Sequence, residues 1–151
     1  MSRRPSEAHA EASNAPAYSL PVRVYYEDTD AAGVVYYANY LRFLERARTE
    51  WLASLGHPVA ELERVHGIVF VVRRIEVDYR RPARLSDSLD VTVAIEALGR
   101  ASLTVLQQVM RGVETLVTAR VMLACVERTS LKPARIPIAI SPLKERKETM
   151  P

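Results

Sequence analysis

The chain has 151 residues, of which 48% are hydrophobic and 26% are charged, and its net charge at neutral pH is +3. This composition is typical of a single globular domain that buries a sizeable apolar core. No apolar run approaches the roughly 20 residues that a membrane-spanning helix needs. The single cysteine excludes an internal disulfide bond, which suits a reducing compartment. We therefore expect a cytoplasmic protein without a membrane span.

The two ends of the chain differ in composition from its middle. Residues 1–17 are rich in Ala, Ser, Pro and Glu and contain no apolar stretch that could serve as a secretory signal, so we expect a disordered leader. Residues 139–151 are expected to be a flexible basic tail, which leaves a folded domain over residues 18–138. The basic excess after Arg128 indicates either a solvated surface or a site for phosphates of a small ligand. It lacks the interleaved aromatic residues that nucleic-acid binding favours.

The apolar pattern predicts a strand, one long helix and a short second helix in the first half of the chain. Apolar side chains alternate with other residues from Tyr18 to Tyr26, as in a half-buried strand. Asn39 is the predicted N-cap of the long helix, and Gly56 is suited to end it. Residues 58–64 are predicted to form the second helix. The stripe expected to face the core consists of Leu41, Leu44, Trp51, Leu52 and Leu55, with Phe43 and Ala47 at its edge.

Four further strands are predicted after Gly67, over residues 68–79, 89–96, 103–109 and 116–126. Short turns at Gly99-Arg100 and Arg111-Gly112 require antiparallel neighbours. The last run is apolar on both faces and is expected inside the sheet. One long helix on one face of such a sheet gives an α+β domain. The face or edge that the helix leaves open is expected to bury itself against a second copy of the chain.

A short acidic turn, residues 28–33, joins the first strand to the long helix. A calcium-binding loop would need oxygen ligands where Ala32 and Asn39 stand, and a phosphoryl-transfer loop would need a hydroxyl at Ala32, so both are excluded. Asp28 is as readily a turn former as a functional residue. Asp30 is the better candidate, because its small neighbours leave room for a substrate. The helix that follows it offers unpaired N–H groups and a positive dipole.

The turn lies within one motif, the segment from Tyr26 to Tyr40, and other motifs follow along the chain. The next one is Arg46-Ala47-Arg48-Thr49-Glu50, in the predicted helix. The later ones are Val71-Val72-Arg73, Asp78-Tyr79, Pro82-Ala83-Arg84-Leu85, Asp87 and Lys132-Pro133. Together, over about residues 20–137, they strongly resemble the hotdog-fold acyl-CoA thioesterases. The likeness is strongest to the 4-hydroxybenzoyl-CoA thioesterase family and its tol-pal-associated branch.

The resemblance implies a hotdog fold, in which a five-stranded antiparallel sheet wraps around one long helix. It implies hydrolysis of acyl-CoA thioesters to free acid and CoA without a metal or cofactor. It also implies homodimers with active sites at the subunit interface, which often pair into homotetramers. No nucleic-acid partner is implied, and membrane association is not expected.

The resemblance also implies the roles of individual residues. Asp30 corresponds to the catalytic carboxylate, acting as general base or nucleophile, and the backbone N–H of Tyr37 to the donor that polarises the thioester carbonyl. The tol-pal-associated branch commonly has His where Tyr37 stands and the hydroxybenzoyl branch has Tyr, so the acyl preference stays open. The substrate-binding positions implied are Gly33, Val34 and Asn39 near the turn, and Arg100, Ser102, Lys132 and Arg135 for the CoA phosphates. For the last four, a solvated basic rim is an equal alternative.

The sequence also allows other interpretations. Glu45 falls on the side of the helix expected to be buried, so it should pair with Arg48 or Arg73, or else serve as a second carboxylate near the site. The three histidines show no metal-ligand spacing. A hotdog dehydratase would need a histidine close to the turn, which this sequence lacks. A non-catalytic acyl-CoA binding module and a membrane-surface protein that uses the basic tail are the remaining alternatives.

Overall fold

The computed structural model describes residues 18–140, so the predicted leader and nearly all of the predicted tail lie outside it. The α-helices are α1, Asn39–Ser54, and α2, Val59–Glu61, which continues as a π-helical turn over Leu62–His66. A 3₁₀ turn covers Tyr26–Asp28, so the first strand ends before Tyr26, where the prediction had extended it. The strands are β1, Tyr18–Arg23; β2, Ile68–Tyr79; β3, Ser88–Leu98; β4, Ser102–Arg111; and β5, Glu114–Glu127. Within this part of the chain no helix combines the length and apolar character needed to cross a membrane.

The strands form one antiparallel sheet in the order β1-β3-β4-β5-β2. The two hairpins lie where the sequence predicts them, at Gly99 to Ala101 and at Gly112-Val113. In the second, Gly112 has a φ of 64°, a left-handed conformation that glycine adopts without steric cost. Strand β5 lies between β4 and β2, which confirms its interior position. The α+β class is confirmed, and β1 and β2 are the two edges of the sheet.

Helix α1 packs its apolar face onto the sheet, with the backbone of β1 and β3 nearest to it. Its buried residues recur with the helical period: Tyr40, Phe43, Leu44, Ala47, Trp51 and Leu52. The predicted stripe is confirmed at Leu44, Trp51 and Leu52, and Leu55 packs against the core. It was wrong at Leu41, which is 39% exposed, and the predicted edge residues Phe43 and Ala47 are fully buried. The predicted N-cap was wrong as well. Asn39 is the first helical residue, Ala38 precedes it, and no side chain caps the helix.

A buried amide ties α1 to the middle of the sheet. Gln107 on β4 is 1% exposed, and its Nε2 donates to the carbonyls of Leu44 on α1, at 3.1 Å, and of Thr92 on β3, at 3.3 Å. Its Oε1 accepts a bond of 3.0 Å from the guanidinium of Arg48. An unpaired buried polar group is costly, and this amide is satisfied by three partners on two elements, α1 and β3.

We expect Gln107→Ala to lower the free energy of unfolding by about 2–3 kcal/mol, because it opens a cavity and leaves the Arg48 guanidinium without its acceptor. Urea denaturation monitored by circular dichroism measures the change. Gln108→Ala is the matched control, since the exposed Gln108 side chain is the next residue on the same strand. Equal losses for the two variants would contradict the role assigned to the buried amide.

Candidate active site

The acidic turn forms a small hairpin between β1 and α1. The Asp30 N–H donates to the Val34 carbonyl at 2.9 Å, and the Gly33 N–H donates to the Asp30 carbonyl at 3.0 Å. Gly33 has a φ of 82°, a left-handed value that explains why glycine stands at this corner. An isolated bridge between Thr29 and Val35 closes the hairpin. The hairpin therefore leads the chain directly from Asp30 to the start of α1.

Asp28 is the buried member of the two aspartates. Its side chain is 8% exposed, and both carboxylate oxygens accept hydrogen bonds: one from the Tyr25 N–H and one from the Asn39 side-chain amide, each at 2.9 Å. Its backbone carbonyl also accepts from the Tyr36 N–H at 3.1 Å. Asp28 thus holds together the end of β1, the hairpin and the first residue of α1. Asn39, a predicted substrate-binding residue, uses its amide for this contact.

Asp30 has the opposite environment. Its side chain is exposed, and Oδ1 accepts a bond of 2.8 Å from the Ala32 N–H, two residues further along the turn. Within residues 18–140 its Oδ2 receives no hydrogen bond. A carboxylate fixed through one oxygen and open at the other is available to a water molecule or to a substrate carbon.

The residues before α1 present Tyr37 in a defined conformation. The Asn39 N–H donates to the Tyr36 carbonyl at 2.8 Å, and the Leu41 N–H donates to the Ala38 carbonyl at 3.1 Å. The Tyr37 N–H has no acceptor among the described residues. This N–H lies at the positive end of the helix dipole and is free to donate to a ligand.

An open cleft of about 200 Å³ lies beside Tyr37. The rings of Tyr37, Tyr40 and Tyr79 contribute to it, with centroids of Tyr37 and Tyr79 at 6.2 Å and of Tyr40 and Tyr79 at 5.6 Å. Burial raises the pKa of both Tyr40 and Tyr79 above the ordinary tyrosine value, so both remain protonated at neutral pH. Arg80, Arg81 and Pro82 complete the cleft.

The loop between β2 and β3 hydrogen-bonds to the hairpin and to α1. The Val35 N–H donates to the Ala83 carbonyl, and the Ala83 N–H donates to the Tyr40 hydroxyl, both at 2.9 Å. At the other end of the loop, Asp87 Oδ2 lies 2.7 Å from the Arg111 guanidinium. Burial raises the pKa of Asp87, but hydrogen bonds from the Arg84 N–H and from Arg111 outweigh it and hold the pKa below the ordinary value.

The predicted CoA-binding residues divide into two groups. Arg100 and Arg135 line one open cavity of about 480 Å³, where the Ile136 N–H donates to the Arg100 carbonyl at 2.7 Å. Ser102 belongs to the same turn, since its carbonyl accepts from the Gly99 N–H. Lys132 is exposed and does not line this cavity. All four residues lie at one end of the sheet, since the Glu127 N–H at the end of β5 donates to the Lys132 carbonyl at 2.8 Å, but Lys132 lies outside the cavity.

This basic end lies far from Tyr37 in the same chain. Strand β4 begins with Ser102 at the basic end and finishes with Arg111, which contacts Asp87 behind the hairpin. Ten residues of strand, at roughly 3.3 Å each, separate the two ends by about 30 Å. The sequence could not reveal this separation, because it depends on the direction in which β4 crosses the sheet.

A further cavity, of about 400 Å³, lies between the second half of α1 and the first half of β2. Its walls are mainly apolar and include Trp51, Phe70 and Leu103, while Glu45 and Arg48 are among its polar residues. The predicted ion pair of Glu45 was wrong within the described residues. Glu45 is exposed, and Arg48 donates to Gln107 instead. Burial lowers the pKa of Arg48, and the charge of Glu45 partly opposes that shift.

No group of three or more His, Cys, Asp or Glu side chains is gathered in a metal-binding arrangement within residues 18–140. The groups available for chemistry at the hairpin are therefore a carboxylate, a free backbone N–H and tyrosine rings. Tyr79 and Asp87 lie in the sequence motifs but had no predicted role, and Arg111 had none either. The contacts that tie them to the site are long-range: Tyr79 bonds to Tyr37, 42 residues away, and Arg111 bonds to Asp87, 24 residues away, so no local pattern could have identified them.

Residues 24–144 match the family model described as the thioesterase-like superfamily. The chain belongs to this superfamily. It is 43% identical over 120 residues to the acyl-CoA thioesterase YbgC of Haemophilus influenzae, an alignment that covers 80% of this chain and 88% of that protein. It is 41% identical over 128 residues to the acyl-CoA thioester hydrolase YbgC of Escherichia coli O6:H1, which covers 84% of this chain and 95% of that protein.

Solved structures agree with this assignment. The crystal structure of a probable thioesterase from Bartonella henselae is 38% identical, with a TM-score of 0.77 over 80% of this chain and 98% of that one. The resemblance drawn from the motifs, the hotdog fold and the prediction of a thioesterase are thereby confirmed. The roles of individual residues stay predictions.

The pH dependence of stability should report on the Asp87–Arg111 contact. Because the folded-state pKa of Asp87 is lowered, its stabilising contribution is present above the ordinary pKa of about 4 and is lost as the pH falls through the lowered value. We expect Asp87→Asn to be less stable than wild type at pH 7 and the difference to shrink below about pH 4. Urea titrations from pH 7 to pH 3 measure it.

Asp90→Asn is the control, since Asp90 is exposed on β3 and forms no ion pair among the described residues. A stability difference between wild type and Asp87→Asn that does not change with pH would contradict the assignment.

Proposed function

We propose that this protein hydrolyses acyl-CoA thioesters to the free acid and CoA. Asp30 acts as general base or nucleophile, and the Tyr37 N–H polarises the thioester carbonyl. The observation that carries the proposal is the hairpin, which joins an exposed carboxylate with one open oxygen to a free N–H at the start of α1. The curated relatives at 41–43% identity are acyl-CoA thioester hydrolases, which supports the choice of substrate.

The chemistry of the reaction fits these groups. Attack on a thioester carbonyl creates a tetrahedral intermediate whose oxygen carries negative charge. A preorganised N–H at a helix N-terminus stabilises that charge, and one such donor contributes roughly 3 kcal/mol. The leaving group is a thiolate, which departs readily, so the carboxylate has only to activate a water molecule or to attack the carbonyl itself.

Two routes are open to Asp30. In the first, its carboxylate removes a proton from water as the water oxygen attacks the carbonyl carbon, and the C–S bond then breaks to release CoA. In the second, the carboxylate itself attacks and forms a mixed anhydride with release of the thiolate, and water then cleaves the anhydride. In both routes one water is consumed, a proton from that water passes to the thiolate, and the products are one acid and one thiol.

The edge strand β2 supports a dimer. Within residues 18–140 neither edge strand has a partner on its outer side, and β2 exposes Val71 and Val72, which are 38% and 47% exposed. An edge strand of twelve residues, paired with β5 on one side only and carrying exposed apolar side chains, can pair with another copy on its outer side. We propose that β2 pairs antiparallel with β2 of a second chain around a twofold axis.

Such pairing would bring the two distant parts of the site together. A full-length antiparallel match places Tyr79 of one chain opposite the partner's Ile68. Ile68 lines the 400 Å³ cavity, and it pairs with Glu127 at the end of the sheet that also holds Arg100. With the thioester bound at Tyr37, the acyl group of the substrate would enter the partner's apolar cavity. The nucleotide of CoA would bind in the partner's basic cavity.

We expect Asp30→Asn to keep the fold and to reduce kcat by about a hundredfold or more, because the amide neither accepts a proton from water nor attacks the carbonyl. Thiol release from a panel of acyl-CoA esters measures the activity, and the melting temperature checks the fold. Asp90→Asn should remain as active as wild type. If Asp30→Asn retains near wild-type turnover, Asp30 has no catalytic role.

A non-catalytic acyl-CoA binding module is the rival outcome of the same assay. It would bind the esters tightly, as calorimetry would show, without releasing thiol. Activity of the wild-type protein with any ester of the panel decides against it.

The double variant Arg100→Ala/Arg135→Ala should raise KM for acyl-CoA about tenfold and leave kcat within about twofold, because charge-assisted bonds to the CoA phosphates are lost. Steady-state kinetics at low ionic strength measure the effect, which salt should weaken. Arg42→Ala, an exposed arginine on α1, is the matched control. An unchanged KM in the double variant would contradict a role of Arg100 and Arg135 in CoA binding and would indicate that they are solvated surface residues.

Co-expression of two chains with different defects, one in kcat and one in KM, tests whether the site spans two subunits. A mixed dimer of Asp30→Asn with Arg100→Ala/Arg135→Ala contains one intact site if the basic residues come from the partner. Assayed at low acyl-CoA concentration, the mixed dimer should exceed the activity of either parent dimer. Activity no higher than the average of the two parents would show that each site is built within one chain.

A further inference from the structure

Tyr79, the last residue of β2, makes a specific contact with the backbone beside α1. Its hydroxyl donates to the Tyr37 carbonyl at 3.0 Å, and its ring lies against the rings of Tyr37 and Tyr40. The contact joins residues 42 positions apart in the sequence, from the edge strand to the start of the helix.

Three hydrogen bonds hold the peptide that joins Tyr36 to Tyr37 and its two neighbours in the chain. The peptide itself carries the Tyr37 N–H and the Tyr36 carbonyl, and this carbonyl accepts from the Asn39 N–H at 2.8 Å. The peptide before it is held through the Tyr36 N–H, which donates to the Asp28 carbonyl at 3.1 Å. The peptide after it is held through the Tyr37 carbonyl by Tyr79.

The Tyr79 hydroxyl is the one partner of the Tyr37 carbonyl among the described residues. The Leu41 N–H, which would reach this carbonyl in a regular helix, donates to the Ala38 carbonyl instead. Without the hydroxyl, the peptide after Tyr37 would be held only as the central peptide of the turn that the Asn39 N–H closes with the Tyr36 carbonyl. The direction of the Tyr37 N–H would then depend on the bonds of the Tyr36 carbonyl and N–H alone, and it would be less well defined.

We propose that Tyr79 is a positioning residue for thioester hydrolysis: its hydroxyl holds the Tyr37 carbonyl and so fixes the direction of the neighbouring N–H that stabilises the oxyanion. The inference rests on the proposed function, in which that N–H polarises the thioester. A donor stabilises a developing charge most when its direction is fixed beforehand, because no reorganisation is then needed during the reaction. The pKa of Tyr79 is raised by burial and by the nearby Tyr37, so the hydroxyl keeps its proton and donates at neutral pH.

Tyr79→Phe tests this role, because it removes the hydroxyl and keeps the ring. The variant should lose kcat by about three- to tenfold, the effect of one hydrogen bond, and keep KM within about twofold. The backbone amide signals of Tyr37 and Ala38 in a ¹⁵N correlation spectrum should shift, while the melting temperature stays close to that of wild type. Tyr18→Phe, the same change on the opposite edge strand, should leave the kinetics and both signals unchanged.

The outcomes separate this inference from the proposed function. Unchanged kcat in Tyr79→Phe overturns the positioning role, whether or not the amide signals move. A rise in KM at constant kcat also overturns it and would make Tyr79 a binding residue. If wild-type protein releases no thiol from any ester, the proposed function fails. In that case, shifted amide signals of Tyr37 and Ala38 in Tyr79→Phe would still show that the hydroxyl orients this peptide. Unchanged signals would overturn that orienting role.

Discussion

The structure of the site depends on the buried carboxylate of Asp28. A buried carboxylate is stable only when hydrogen bonds replace its lost hydration, and here the Tyr25 N–H and the Asn39 amide supply them. These two partners belong to different segments, the end of β1 and the start of α1. Satisfying one charge therefore fixes the hairpin between them, and with it the distance from Asp30 to the free N–H of Tyr37. The two aspartates of the turn have divided roles, because one is buried and fully bonded and the other is exposed and half free.

The surrounding loops stabilise this arrangement from two further sides. The loop after β2 contacts the hairpin through the bond between Ala83 and Val35 and reaches the helix through the Tyr40 hydroxyl. Arg111 fixes the far end of that loop to the β4–β5 hairpin by its contact with Asp87. Each contact joins residues far apart in the chain, so the order of the reactive turn is a property of the folded domain.

The sequence predicted the elements well and their contacts poorly. Alternating apolar residues and glycine turns located all five strands and both hairpins, because these signals are local. The phase of the helical stripe was misjudged at Leu41, since apolar residues occur on more than one side of the first turns of α1. Asn39 has the residue type of an N-cap, yet its amide bonds to Asp28. Gln107 was visible as a polar residue at an inward position of β4, but its three partners lie on α1 and β3. Tyr79 stood in a quoted motif without a role, because its partner is 42 residues away.

The position of Tyr79 links the chemistry to the edge of the sheet. It ends the strand that we propose as the dimer contact, and it holds the carbonyl next to the N–H that we propose as the oxyanion donor. Pairing of β2 with a second chain would restrict the motion of this strand end, because edge residues gain backbone hydrogen bonds when they are paired. The same pairing would supply the partner's apolar and basic cavities to the thioester. We therefore propose that a single chain contains the reacting groups, and that association of two chains further restricts the amide and adds the contacts that bind CoA.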